Sequence, residues 1–214
     1  MNLKIVFVTL CIGAVVAVSP AQQGRGRMFG NPVQNPSILL QRDDVRDDLQ
    51  LTDDQKSKLF DLQQGLGDRF REVARTAGDD PEARKKAFEN IGKKIVEEVN
   101  KILTTGQQTR LKQISIQLAG NTSATSPDVQ KDLSLTAAQK AGIDDLSSRQ
   151  QKAMTEAFDK LRNGELQIQD ITDIRKKNDK VLNDEIGKIL TQSQKDKLKT
   201  LGGKPFTAKE DQGG

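Results

Sequence analysis

The chain has 214 residues, with 34 Lys and Arg against 30 Asp and Glu, a formal charge of +4, one Cys and no His, Trp or Tyr. Charge this evenly balanced leaves no electrostatic footprint for nucleic acid, and Lys85-Lys86, Lys93-Lys94 and Arg175-Lys176-Lys177 read as solvated helix faces. With no imidazole, and with its only thiol in a segment that reads as removed, the mature chain lacks the groups for Cys–His or Ser–His catalysis. It equally lacks ligands for a zinc, copper or nickel site. No metal, no cofactor and no enzyme activity are expected.

Lys4 followed by the apolar run Ile5–Val18 and by Ser19-Pro20-Ala21, with small residues at the −3 and −1 positions, reads as a secretory signal over residues 1–21. The run, which contains Cys11, is too short to span a membrane. Cleavage removes Lys4, leaves a formal +3 and places the protein in the periplasm without an integral membrane span. Residues 22–36, rich in Gly, Pro and Gln, read as a flexible leader. A short helix is expected from about Ser37 to Leu49.

The next stretch, Leu51-Thr52-Asp53-Asp54-Gln55, is written four times. It returns as Leu103-Thr104-x-x-Gln107, Leu135-Thr136-x-x-Gln139 and Leu190-Thr191-x-x-Gln194. Thr at N-cap and Gln three residues on make a capping box, in which each side chain serves the other's backbone N–H. Each copy therefore marks a helix start. Lys56, Gln108, Lys140 and Lys195 occupy the N4 position, so the leucines have no hydrophobic-staple partner and must pack elsewhere.

After Leu51 an apolar stripe runs Leu59, Leu62, Leu66, Phe70 and Val73, stepping three or four residues as a helix requires. A turn at Gly78-Asp79-Asp80-Pro81 leads into a second stripe, Phe88, Ile91, Ile95, Val99 and Ile102. A shorter helix after Thr104 carries Leu111, Ile114 and Leu118. Residues 121–126 read as a polar linker. The pattern then restarts. Asp44, Val45, Asp48, Leu49, Leu51, Thr52, Gln55 and Lys56 recur at an offset of 84, and Glu98 to Lys112 recurs in eight positions at an offset of 87.

In the second half Ile143, Leu146, Met154 and Ala157 continue one stripe, with Gln150 where the first half has Leu66. Ile171, Ile174, Leu182, Ile186 and Ile189 continue the other, interrupted by Asn178, and Asn163-Gly164 marks the turn between them. The expected fold is all-α: two tandem repeats of long paired helices with short flanking helices, over residues 37–120 and 127–201, in an extended bundle. Residues 202–214 read as a disordered tail. Asp159 to Asp170 spaces like a calcium loop, but Leu161 at its third position and Asp170 at its twelfth argue for a plain helical turn.

The Asp-Leu-x-Leu-Thr-x-x-Gln-Lys entry and the Asn-Lys-Ile-Leu-Thr-x-x-Gln exit (Asn100 to Gln107) resemble the LTxxQ proteins of the Spy/CpxP type. The resemblance covers residues 40–118 and again 126–201. It implies a small exported helical protein that holds unfolded or damaged proteins without ATP, or serves as an envelope-stress protein. The alternative is a CpxP-like regulatory or structural binder of one envelope partner protein. Two units in one chain suggest a monomeric pseudo-dimer, with a homodimer as the other arrangement. Phe60 and Ile116, each off its helix's apolar line, are the candidate client contacts, to be weighed against ordinary surface exposure of single apolar residues.

Overall fold

In the computed structural model the described residues are 36–76 and 81–208. The expected signal with Cys11, the leader up to residue 35, the core of the Gly78–Asp80 turn and residues 209–214 lie outside them. The fold is all-α, with no strand among the described residues. Its helices are α1 (Asp43–Asp48), α2 (Asp53–Thr76), α3 (Pro81–Ile102), α4 (Thr105–Ala119), α5 (Pro127–Asp132), α6 (Ala137–Arg162), α7 (Ile168–Ile189) and α8 (Gln192–Leu201). Short 3-10 segments, Pro36–Gln41 and Gly120–Thr125, precede α1 and α5. The helix expected over Ser37–Leu49 is thus broken in two at Arg42, whose extended backbone caps α1.

The first half begins with a tight reversal. α1 ends with Gln50 in the left-handed region (φ 50°), where Gln50 N–H donates to Asp47 O and Leu51 N–H donates to Arg46 O. That is a Schellman closure, which normally brings the residue after the left-handed one against the helix's last apolar turn. Here that residue is the motif leucine: Leu51 and Val45 belong to the same core. The second half does the same 84 residues on. Ser134 has φ 52°, Leu135 N–H donates to Gln130 O, and Leu135 joins Val129 in the other core. Two of the four leucines without a staple partner, Leu51 and Leu135, are thus placed by the helix before them rather than the one after.

The long helices pack in two hairpins, α2 on α3 and α6 on α7. At 24 residues α2 is about 36 Å long. The fully buried residues gather toward the motif-bearing ends. Leu39, Leu40, Val45, Leu49, Leu51, Ile95, Val99, Leu103, Leu111, Ile114 and Leu118 form one core, and Leu59, Leu62, Leu66 and Ile91 only partly cover it. The second core holds Val129, Leu133, Leu135, Ile143, Ile186, Leu190 and Leu198, with Ile116, Ala119 and Ala124.

α4 is therefore shared. Leu111, Ile114 and Leu118 face the first core, while Ile116, two residues and about 200° from Ile114, faces the second.

Two expectations are corrected here. Residues 121–126 are no exposed linker, since Thr122, Ser123 and Ala124 are buried and their segment packs on α4, α5, α6 and α7. A polar run can be buried because its hydroxyls bond backward: Thr122 to Ala119 O, Ser123 to Gly120 O and Thr125 to Thr122 O. Residues 202–208 are not a disordered tail either. They double back on α4, and Phe206 packs against the first core.

Candidate functional site

The four LTxxQ motifs meet in pairs. Each Thr accepts from the backbone N–H of its Gln, and each Gln accepts from its Thr N–H, at 2.9–3.3 Å throughout. The four leucines are buried and the four threonines exposed. The glutamines then reach beyond their own helices. Gln55 Nε2 donates to Gln107 Oε1 (2.7 Å) and to Ile102 O (2.9 Å), while Gln107 Nε2 donates to Gln55 Oε1 (3.0 Å) and to Leu49 O (3.1 Å). Each amide uses both N–H groups and both lone pairs, its full capacity.

The same clasp closes the second half. Gln139 Nε2 donates to Gln194 Oε1 (2.8 Å) and Ile189 O (3.0 Å), and Gln194 Nε2 returns a bond to Gln139 Oε1 (3.0 Å). Capping alone accepts Glu at this position as readily as Gln. The clasp needs Gln, because only an amide both donates and accepts.

The spacing of the motifs shows the caps, but not that the caps face each other 52 and 55 residues apart. Four identical Gln where Glu would cap equally well was the available signal. Buried leucines, capping threonines and clasped glutamines are engaged within the fold, so these twelve residues are architecture.

The two candidate contacts part company. Phe60 is 59% exposed on α2, next to Asp61. Ile116 is 3% exposed and belongs to the second core, so it is withdrawn as a contact: α4 has a core on each side, and a residue off one stripe lands on the other.

Three exposed apolar residues of the second hairpin join Phe60. Ile168 is 71% exposed, and Phe158 and Val181 are each 41% exposed. Phe158 follows Ala157, which faces inward, so the aromatic is turned off the seam. Phe60, Phe158 and Val181 sit beside charges held in intrahelical pairs, such as Lys58–Asp54, Arg162–Asp159 and Lys180–Asp184. Hydrogen bonds from Lys180 and Arg75 hold the Asp184 and Glu72 carboxyls below the usual carboxylate range, and Glu185 raises the Lys188 ammonium.

A groove of about 990 Å³ opens between α3, α4 and α5. Val96, Leu111, Ile116 and Val129 line it, with Lys93, Glu97, Lys112 and Asp128 on its walls. Among the described residues no group of three His, Cys, Asp or Glu side chains converges to hold a metal, and no helix is long and apolar enough to cross a membrane. Asp159 and Asp170 do not form a loop site: Asp159 pairs with Arg162, and Asp170 caps α7 by accepting from Gln167 N–H. No family model matches the chain, and no curated protein or solved structure matches it either.

Proposed function

We propose that this is an exported, Spy-like holding protein, which binds unfolded or damaged chains without ATP and without catalysing a reaction on them. The observation that carries the reading is the set of Phe60, Phe158, Ile168 and Val181, exposed singly on two hairpins, three of them beside paired charges. Single apolar contacts of this kind bind weakly and non-specifically, about 1.5–3 kcal/mol each if fully covered. The charged surroundings keep the holder itself soluble. Half-buried Leu62, Leu66 and Ile91 extend the apolar surface of the first hairpin.

The test is aggregation of several unrelated clients against added residues 22–214, without nucleotide. Suppression at near-stoichiometric amounts is expected, weakened by Phe60→Ser and Ile168→Ser together at unchanged helicity. No suppression by a well-folded sample overturns the reading. The groove between α3, α4 and α5 favours a second reading, a CpxP-like binder of one envelope partner, because a defined apolar cleft with charges on its walls suits one shape. In that case Val96→Asp, which places a charge on the half-buried cleft wall, abolishes capture of a single crosslinked partner, whereas the Phe60 variant leaves it intact.

A further inference from the structure

One face of α4 grips the chain as it leaves α8. Arg110, Gln113 and Gln117, spaced three and four residues apart, lie along that face. Gln117 Nε2 donates to Gly202 O and to Lys204 O (2.8 Å), while its Oε1 accepts from Phe206 N–H (2.8 Å). Arg110 Nη1 donates to Lys204 O at 2.6 Å, and Asp48 holds the guanidinium in place from behind through bonds of 2.6 and 2.9 Å.

Gly203 has φ 64°, and a Cβ there would come within 2.4 Å of the Gln113 side chain. Lys204, Pro205 and Thr207 are exposed, so the side chain that counts is Phe206, packed on the first core. The contacts therefore read backbone carbonyls and one backbone N–H. They demand a glycine for the positive φ and an aromatic three residues later.

These are the parts of a peptide-binding site: a bidentate side-chain amide, an oriented guanidinium and an aromatic pocket, all aimed at main chain. We propose that this face of α4 is a binding site for segments of the type Gly-x-Pro-aromatic in a partner protein, occupied in the resting molecule by the chain's own residues 202–208. A tethered segment acts at an effective concentration of order millimolar, so it excludes weaker competitors until it is displaced. The proposal rests on this geometry and not on the holding activity. A protein that suppresses no aggregation would still bind the peptide.

The experiment uses the full chain with Gly203→Val and Phe206→Ser, which act on the tail and leave α4 untouched. Amide exchange at residue 206 reports whether the tail has left, and a labelled Gly-Gly-Lys-Pro-Phe-Thr-Ala peptide is the probe. Loss of protection, with peptide affinity at least tenfold above that of the unmodified chain, is expected. That affinity disappears for a peptide with Ser in place of Phe and on adding Gln117→Ala. A helical double variant that ignores the peptide overturns the proposal, as does a tail that stays protected or binding that Gln117→Ala leaves unchanged. A protein that dimerises through exchanged tails also overturns it, because the occupant is then a second copy.

Discussion

The two halves of the molecule use one frame with different fillings. In the first, Ile38, Leu39 and Leu40 of the 3-10 segment are buried, and Leu66 and Ile91 supply the hairpin seam. In the second, the positions 84 or 87 residues on are Thr122, Ser123 and Ala124, and Gln150 and Asn178. Apolar burial gives way to small hydroxyls bonded to their own backbone, and then to amides, while the capped helix starts and the glutamine clasp persist in both. What the halves hold in common is hydrogen-bond geometry, and what they vary is filler. A clasp that fails leaves several groups unpaired at once, whereas a filler only has to occupy volume and satisfy its own polar atoms.

The strongest way to break the comparison is to attack the clasp. Gln55→Glu keeps the capping acceptor for Thr52 N–H but removes both Nε2 donations, leaving Ile102 O and Gln107 Oε1 facing a carboxylate. Gln55 is only 8% exposed, so the loss should be about 3 kcal/mol, read as a lower urea midpoint. Gln139→Glu acts on the more exposed copy, so its loss is smaller, about 2 kcal/mol. A cost no larger than that of Thr52→Ala, about 1 kcal/mol, would show that the glutamine is merely a cap.

The filler is tested by making the second half resemble the first. Gln150 Oε1 and Asn178 Nδ2 are buried without hydrogen-bond partners, at the places where the first hairpin has Leu66 and Ile91. Replacing both as Gln150→Leu and Asn178→Ile should raise stability by about 2 kcal/mol, since each orphaned group costs about 1 kcal/mol or more. The two residues share one seam, so the double change is expected to differ from the sum of the singles. A double variant less stable than the parent would mean that these amides are paired in solution and hold the seam's register.

These contrasts also mark how far the sequence could be read. The long helices, the caps and the stripe residues near the motifs were legible, because 3.6-residue periodicity and Thr-x-x-Gln spacing are local signals, while the side chains of Phe70 and Phe88 lie outside the described residues. The fate of Ile116 was not, since a single stripe cannot say that a helix will be sandwiched between two cores. Residues 202–208 were misjudged for a related reason. Gly, Lys and Pro look like tail composition, and the partners that order them, Arg110 and Gln117, lie about 90 residues upstream. The Thr-Ser-Ala run read as a linker because hydroxyls look hydrophilic until their backward bonds to the chain are seen.

A smaller effect sharpens the shared frame. Gln50 and Ser134 occupy left-handed backbone, while the Schellman closure of α6 has Gly164 at φ 77°. A residue with a Cβ in that region pays about 1–2 kcal/mol, and glycine returns part of the gain as extra freedom in the unfolded chain. Gln50→Gly and Ser134→Gly should each stabilise by about 0.5–1 kcal/mol, and Gly164→Ala should destabilise by about 1 kcal/mol, measured by thermal melting. Equal losses in all three would point to a structural role for the Gln50 and Ser134 side chains.

The smallest contrast lies between Asp48 and Asp132, equivalent aspartates that pair with different partners. Asp48 meets Arg110 at 2.6 Å in a largely covered site, while Asp132 meets Lys112 at 3.2 Å with both side chains more exposed. The hydrogen bond from Arg110 holds the Asp48 carboxyl below its usual value of 3.8. A lowered folded-state pKa stabilises fully above the unfolded value and is lost as pH falls through the lower, folded one. Stability from Asp48 should therefore be flat from neutrality down to about pH 4, then decline below it. Asp48→Asn should remove that acid-side decline and cost about 1 kcal/mol at pH 7, whereas Asp132→Asn should cost about 0–0.5 kcal/mol, as exposed pairs do. Because Arg110 also binds the returning tail, Asp48→Asn should loosen amide protection at Phe206, and Asp132→Asn should not. Equal protection in the two variants would separate the ion pair from the tail and leave Gln117 as the tail's principal anchor.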